Sequence, residues 1–404
     1  MIITPITYNA TENVITVTGF SESSPCTFED IYNASVNNGW GVVDKVDTNT
    51  YVFKAKLQIG DGSTWTYFVD KEKTVIFTSD VVIDYHEAII LVKRHAYFWI
   101  GEGDEETRTG HRGCIFDVRE TVFNSWAFVI HNESEGDVRL YGVTIINKSF
   151  AEYSHNLWLE GSVNRVWSCQ VKGGLSGIYP TENLDVNEFL VQDCSQGWIY
   201  GYNPIYPITN VIIEYNGNGV YYYADQVYNL RNARFMKNNT TINTYDLKAP
   251  ARLTDCEADV WSINWGGSPD PDKAKIERAY TFKVKVTDKD GNPIDGALVE
   301  LYDKNGNLVF RELTDENGEI SEHSVVSITY TPTETIDNNP YTVKITKEGY
   351  TPLEVKITID RTMKNLVWQL DALKYTIDEI YEEVKALRED LKKHDAKMTA
   401  LKFV

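Results

Sequence analysis

Between Val138 and Asp259, short apolar runs that end in polar or glycine-rich turns return at nearly constant spacing. They are VRLYGVTIIN (138–147), VNRVWSCQVKGG (163–174), LDVNEFLVQDC (184–194), ITNVIIEYNGNG (208–219), VYNLRNARFMKNN (227–239) and APARLTDCEAD (249–259). Leu140, Val163 and Val186 lie 23 residues apart, as do Val143, Val166 and Phe189. Each run is shorter than a helix and has the β-branched, alternating texture of a strand. Units of about 20 to 25 residues that bury their apolar faces only against their neighbours make a solenoid. The leucine ladder and helical half-repeat of a leucine-rich repeat are missing. The pattern therefore predicts an all-β right-handed parallel β-helix over 73–265, with Val, Ile, Phe, Cys and Asn stacked on like positions. Cys169 and Cys194 are expected inside those stacks, since a free thiol behaves as a small hydrophobe.

The flanks carry other patterns. Residues 1–72 read as strands plus one helix over TFEDIYNASVNNGW (27–40), with Thr27 as cap, Asp30 completing a capping box, and Phe28, Ile31, Tyr32 and Val36 on one face. Such a helix is expected to cover the open end of the solenoid. The glycine, prolines and charges of 266–280 read as a linker. From 281 to 369 the runs FKVKV, ALVELYD and LVFREL alternate strictly between the turns DKDGNP, DKNGN and TDENGE, which predicts a small antiparallel β-sandwich.

From 370 to 404 a heptad pattern takes over. Positions a are Leu370, Ile377, Val384, Leu391 and Met398; positions d are Leu373, Ile380, Leu387, His394 and Leu401. Nine of these ten are apolar, which predicts a coiled coil and a homo-oligomer, a trimer in preference to a dimer. His394 reads as a register residue in that seam.

Charge and composition narrow the partners. A formal net charge of −20 over 404 residues excludes the basic surface that nucleic acid or an anionic membrane requires. Five Cys without a CxxC pair form neither a disulfide framework nor a zinc site. The first residues lack the pattern of a signal peptide, and no run has the length of a membrane helix. No cofactor or metal is expected: Asp288 opens an EF-hand-like DKDGN, but position twelve is Val299. GHRG (110–113) offers a lone His. Asp185, Glu188, Asp193 and Glu214 fall on successive coils, either as an acid–base pair or as a solvated acidic face. The positive constellation is aromatic. Trp198, Tyr200, Tyr202, Tyr206, Tyr221, Tyr222 and Tyr223 fall on adjacent coils and are expected to form, in part, an exposed face for sugar rings or a partner protein.

Val286, Asp288, Gly291, Pro293, Ile294, Gly296, Ala297, Val299, Leu301, Asp303, Gly306 and Val309, followed by TDENG and the KEGY at 347–350, resemble the carboxypeptidase regulatory-like domain. That resemblance implies a structural or binding role without catalytic residues. The paired aspartates, GHG and RIK of galacturonan hydrolases and the carboxylate set of pectate lyases, β-helical enzymes, are not found. The order of capped β-helix, sandwich and coiled coil resembles fibre, spike and decoration proteins of tailed bacterial and archaeal viruses. It implies a non-enzymatic virion surface protein, made in the host cytoplasm, whose partners are itself, other virion proteins and a host glycan. Two alternatives stay open: a β-helical polysaccharide depolymerase, and a cell-surface adhesin or extracellular filament subunit.

Overall fold

The computed structural model describes residues 5–149, 153–179, 181, 183–198, 201, 204–373 and 377–401, with the side chains of 377, 378, 396, 397 and 399–401 excepted. The chain divides into two units, the first formed by 1–279 with 328–336 and the second by 280–327 with 337–404.

In the first unit the chain visits three parallel ladders in turn. One coil runs through Asp137–Tyr141, Thr144–Ile146 and Ser154–Leu159, the next through Val163–Trp167, Gln170–Lys172 and Ser176–Tyr179. Each strand pairs in parallel with its counterpart one coil on. Parallel strands cannot join through a two-residue hairpin, so the ladders need the intervening turns that the sequence supplies. A left-handed residue recurs at the corner of successive coils, within a strand at Glu188 and Asn210 and between strands at Asn232 and Asp255, all at φ between 54° and 56°. Asparagine and aspartate tolerate this left-handed region best among non-glycine residues.

The observed register corrects the constant 23-residue step. Leu140 pairs with Val166 and Val166 with Val186. In the next ladder Ile145, Val171, Val191, Ile213, Phe235 and Ala258 align, with steps of 26, 20, 22, 22 and 23 residues. Turn length differs from coil to coil, and only in-register pairing keeps every apolar side chain inward. Within 266–280, residues Lys275–Ala279 are not a linker but the next rung, paired with Pro250–Thr254.

Inside the stack, Val, Ile, Leu and Phe form one continuous core. Polar rungs accompany them. Asn132 Nδ2 donates to Asn164 Oδ1 at 2.7 Å, and Asn216 Nδ2 to Asn238 Oδ1 at 3.1 Å. All five cysteines are free and buried. The Cys169 thiol donates to the Leu140 carbonyl at 3.2 Å, and burial pushes its pKa up to about 12, so it packs as a neutral group.

Helix α1, Phe28–Asn37, is capped as its sequence specifies: Thr27 Oγ1 accepts from Asp30 N at 3.3 Å, and Asp30 Oδ2 from Thr27 N at 2.9 Å. Phe28 enters the core edge-on to Phe68 at 4.8 Å, and its N–H donates to the Asp70 carboxylate at 2.9 Å. Its buried residues are Phe28, Ile31 and Ser35, whereas Val36 is 57% exposed. The buried stripe is narrower than the apolar one.

The second unit holds a four-stranded antiparallel sheet, ordered Leu308–Leu313, Leu298–Tyr302, Tyr341–Thr346 and Leu353–Ile357. Residues Phe282–Thr287 pair in parallel with Met363–Gln369. Its turns share one mechanism. The Asp288 carboxylate accepts from the backbone of Asp290 and Asn292 and from the Asn292 side chain, and Asp303 repeats this with Asn305 and Asn307. Gly291 and Gly306 supply φ of 86° and 84°. The hydrogen bond from Asn292 above all holds the Asp288 carboxyl below its ordinary pKa. DKDGN is thus a hairpin turn. Leu370 is buried in this unit's core, so it is not a seam residue; helix α2 spans Ile377–Leu401 and begins after both Leu370 and Leu373.

Candidate binding site

Of the seven aromatics expected on adjacent coils, Trp198 and Tyr222 do not reach the surface. Trp198 is fully buried, edge-to-face with Phe189 at 5.9 Å, and Tyr222 is equally buried with its hydroxyl donating to the Tyr228 carbonyl at 3.0 Å. Both point inward because Trp198 pairs with Val220 and Val220 with Ile242, all core positions. Tyr221 is half-buried, while Tyr206 and Tyr223 are exposed. Tyr223 stacks on Tyr245, rings 6.1 Å apart and 8° from parallel. Tyr200 and Tyr202 lie outside the described residues.

The four coil carboxylates have separate structural partners. Asp185 is paired with Arg108, and Glu188 accepts from Ser168 Oγ at 2.6 Å. Glu214 accepts from Gln192, and Asp193 lies 3.6 Å from Lys172. Arg108 sits in the turn of an antiparallel hairpin, Glu102–Asp104 with Thr109–His111, that folds back along the coils; the Asn187 side chain holds the Arg108 carbonyl at 2.9 Å. His111 of GHRG is exposed and lies 3.3 Å from Glu102. Among the described residues no cluster of three or more His, Cys, Asp or Glu could hold a metal ion.

An aromatic surface does form, elsewhere. Strands Thr66–Asp70 and Ala96–Ile100 pair in parallel with Tyr67 on Tyr97 and Val69 on Trp99; the next strand places Asp137 and Arg139 in the same rows. Tyr67 and Tyr97 stack at 4.2 Å and 2°, and Trp65 lies over Tyr97 at 5.6 Å and 26°. Trp99 stands edge-on to Tyr97 at 5.7 Å. It donates Nε1–H to Asp137 at 3.0 Å and carries the Arg139 guanidinium 4.2 Å above its ring. Arg139 returns two hydrogen bonds to Asp137, at 3.0 and 2.8 Å, so the carboxylate is fully engaged. Burial, then the hydrogen bond with Tyr67, pushes Tyr97 up to about 12, keeping its hydroxyl protonated.

This ladder ends in an open groove of about 500 Å³. Phe20, Ser21, Glu22, Thr64, Trp65 and Tyr67 line it, and Trp65 is 55% exposed. The signal was present in the sequence: TWTYFVD and RHAYFWIG each carry aromatics two apart, which alternation puts on one face. What was missing was the register that sets the two strands side by side.

Residues 280–367 match the SpaA family, a prealbumin-like fold domain. The match coincides with the predicted sandwich. No curated protein matches the chain.

Proposed function

We propose that the chain is a non-enzymatic surface-display protein that attaches to a glycan-bearing partner. In this reading the coils wind as a right-handed parallel β-helix, a rigid carrier for the aromatic surface, and α2 gathers copies into a homo-oligomer. The observation that carries it is the SpaA prealbumin-like domain, a type typical of surface adhesins and pilus-like proteins. That favours a cell-surface adhesin or extracellular filament subunit as the setting. The order of repeated coils, sandwich and apolar-seamed helix favours a second setting, a virion fibre, spike or decoration protein, in which the display role is the same. In this reading the coil carboxylates Asp185, Glu188, Asp193 and Glu214 are structural, each tied to a neighbouring side chain.

Assembly rests on α2. Ile380, Val384, Leu387, Leu391 and Met398 are between 42% and 67% exposed, an apolar stripe at heptad spacing with exposed His394 among them. Within a single chain that stripe has no cover; a second and third copy supply it. Light scattering of the intact chain against one ending at Asp371 tests this. The expected result is an oligomer that becomes a monomer on truncation, and a monomer in both cases would refute it.

A further inference from the structure

We propose that the groove bounded by Phe20–Glu22 and Thr64–Tyr67 binds an oligosaccharide of neutral hexopyranose or N-acetylhexosamine units. This rests on the attachment reading above and names its ligand.

Three properties of the groove lead to this class. The first is its floor. Tyr97 covers one face of Tyr67, and Tyr67 itself lines the groove beside the exposed indole of Trp65. A pyranose ring has an apolar C–H face that packs flat on such rings, and a rigid aromatic floor loses little entropy when it does. His95 lies against Trp65 at 4.6 Å and Tyr97 against it at 5.6 Å, so the indole is held in place before the ligand arrives.

The second is the rim. The hydroxyl of Ser21, which shares a hydrogen bond with Ser23 at 3.1 Å, and the side chains of Ser63 and Thr64 stand around the floor. Asp61 fixes that side, accepting from the backbone of Ser63 and Thr64 at 2.8 Å each. The Ser63 and Thr64 hydroxyls also donate to Asp61, at 2.9 and 3.3 Å, which leaves their oxygens to accept from sugar hydroxyls.

The third is charge. The lining includes one carboxylate, Glu22, and no Lys, Arg or His. Together with the net charge of −20, this repels uronic and sialic acids, whose carboxylates would find no cation to pair with. The volume of about 500 Å³ falls within the roughly 300–1,000 Å³ of small-ligand sites. Because the groove is open, the ligand is one segment of a longer chain.

The test uses the intact chain on an array of neutral, N-acetylated, sialylated and uronic-acid glycans, followed by calorimetric titration of the best neutral hit. Three variants go alongside: Trp65→Ala, Glu22→Lys, and Tyr85→Ala as an exposed aromatic outside the groove. The expected result is binding to neutral or N-acetylated glycans, weakened at least tenfold by Trp65→Ala and unchanged by Tyr85→Ala, with acidic glycans gaining affinity in Glu22→Lys. Circular dichroism confirms that each variant is folded. Neutral-glycan binding that survives Trp65→Ala overturns the groove while leaving the attachment reading standing; preference for acidic glycans overturns the ligand class. A chain that adheres to no glycan and to no cell or particle surface overturns the attachment reading itself.

Discussion

A buried asparagine has four hydrogen-bonding positions to fill, and stacked coils fill them with the asparagine above or below. Asn164 accepts from Asn132 and donates to the carbonyls of Leu159 and Gly161 at 3.3 and 3.0 Å. Asn164→Ala removes three buried hydrogen bonds, although each partner keeps a second one: Asn132 to the Gly136 carbonyl, the Leu159 carbonyl from Thr181, and the Gly161 carbonyl from Asn183. At a net worth of roughly 0.5–1.5 kcal/mol per bond, it should lower stability by about 1–3 kcal/mol in urea unfolding; a change under a few tenths would show the rung to be idle. His155 makes a different prediction. It is almost wholly buried among Trp126, Phe128 and Trp158, with Nδ1 at 2.7 Å from Ser176 Oγ, and burial depresses its pKa to about 4. Below 6.5 the unfolded chain binds a proton that the folded one refuses until about 4. Stability therefore falls as pH drops through that window, by roughly 2 kcal/mol between pH 7 and 5 from this residue. Half-buried His131, also depressed by burial, adds in the same direction. Unfolding midpoints of the wild type and His155→Asn at both pH values should converge on acidification; parallel curves would contradict the assignment. At this scale the sequence was partly legible. Which residue types would stack was readable, because Cys, Asn and β-branched side chains suit a repeated buried position. Which way Trp198 pointed was not, since a one-residue shift in the turn before a strand exchanges its faces.

Elements were legible where local chemistry decides them. The Thr27–Asp30 capping box needs only four residues and appears as written, and Thr27→Ala should cost about 1 kcal/mol in thermal unfolding. The hairpin turns of the second unit are equally local, being set by Asp288, Asp303 and their glycines. Register is not local. The 23-residue step was an average over coils of unequal length, and two strands 30 residues apart in sequence, holding Tyr67 and Tyr97, came into line for reasons spread over the coil between them. Helix α2 shows the same division. Its heptads were visible, but its start was not, because Leu370 satisfies the heptad and the sandwich core equally well, and the core holds it. Leu387→Glu, a charge in the middle of the stripe, should dissociate the oligomer without altering the sandwich, as read by sedimentation and near-ultraviolet dichroism.

For the molecule as a whole, composition set the terms on which surfaces can bind. With 59 acidic against 39 basic residues, the chain as a whole disfavours anionic ligands, and the exposed aromatic surface begins where the first coils meet the segment after Val17. The candidate groove was missed because it lies near the N-terminal end of the repeats, where strand spacing is least regular and the periodic signal weakest. A display role, as proposed, requires that these coils hold a polysaccharide and leave it intact. It is tested most directly by incubating the intact chain with a panel of neutral polysaccharides and reading retention and product release in the same samples. The expected result is retained polysaccharide with no new reducing ends and no unsaturated fragments; release of oligosaccharides at a rate proportional to protein would overturn the non-enzymatic reading.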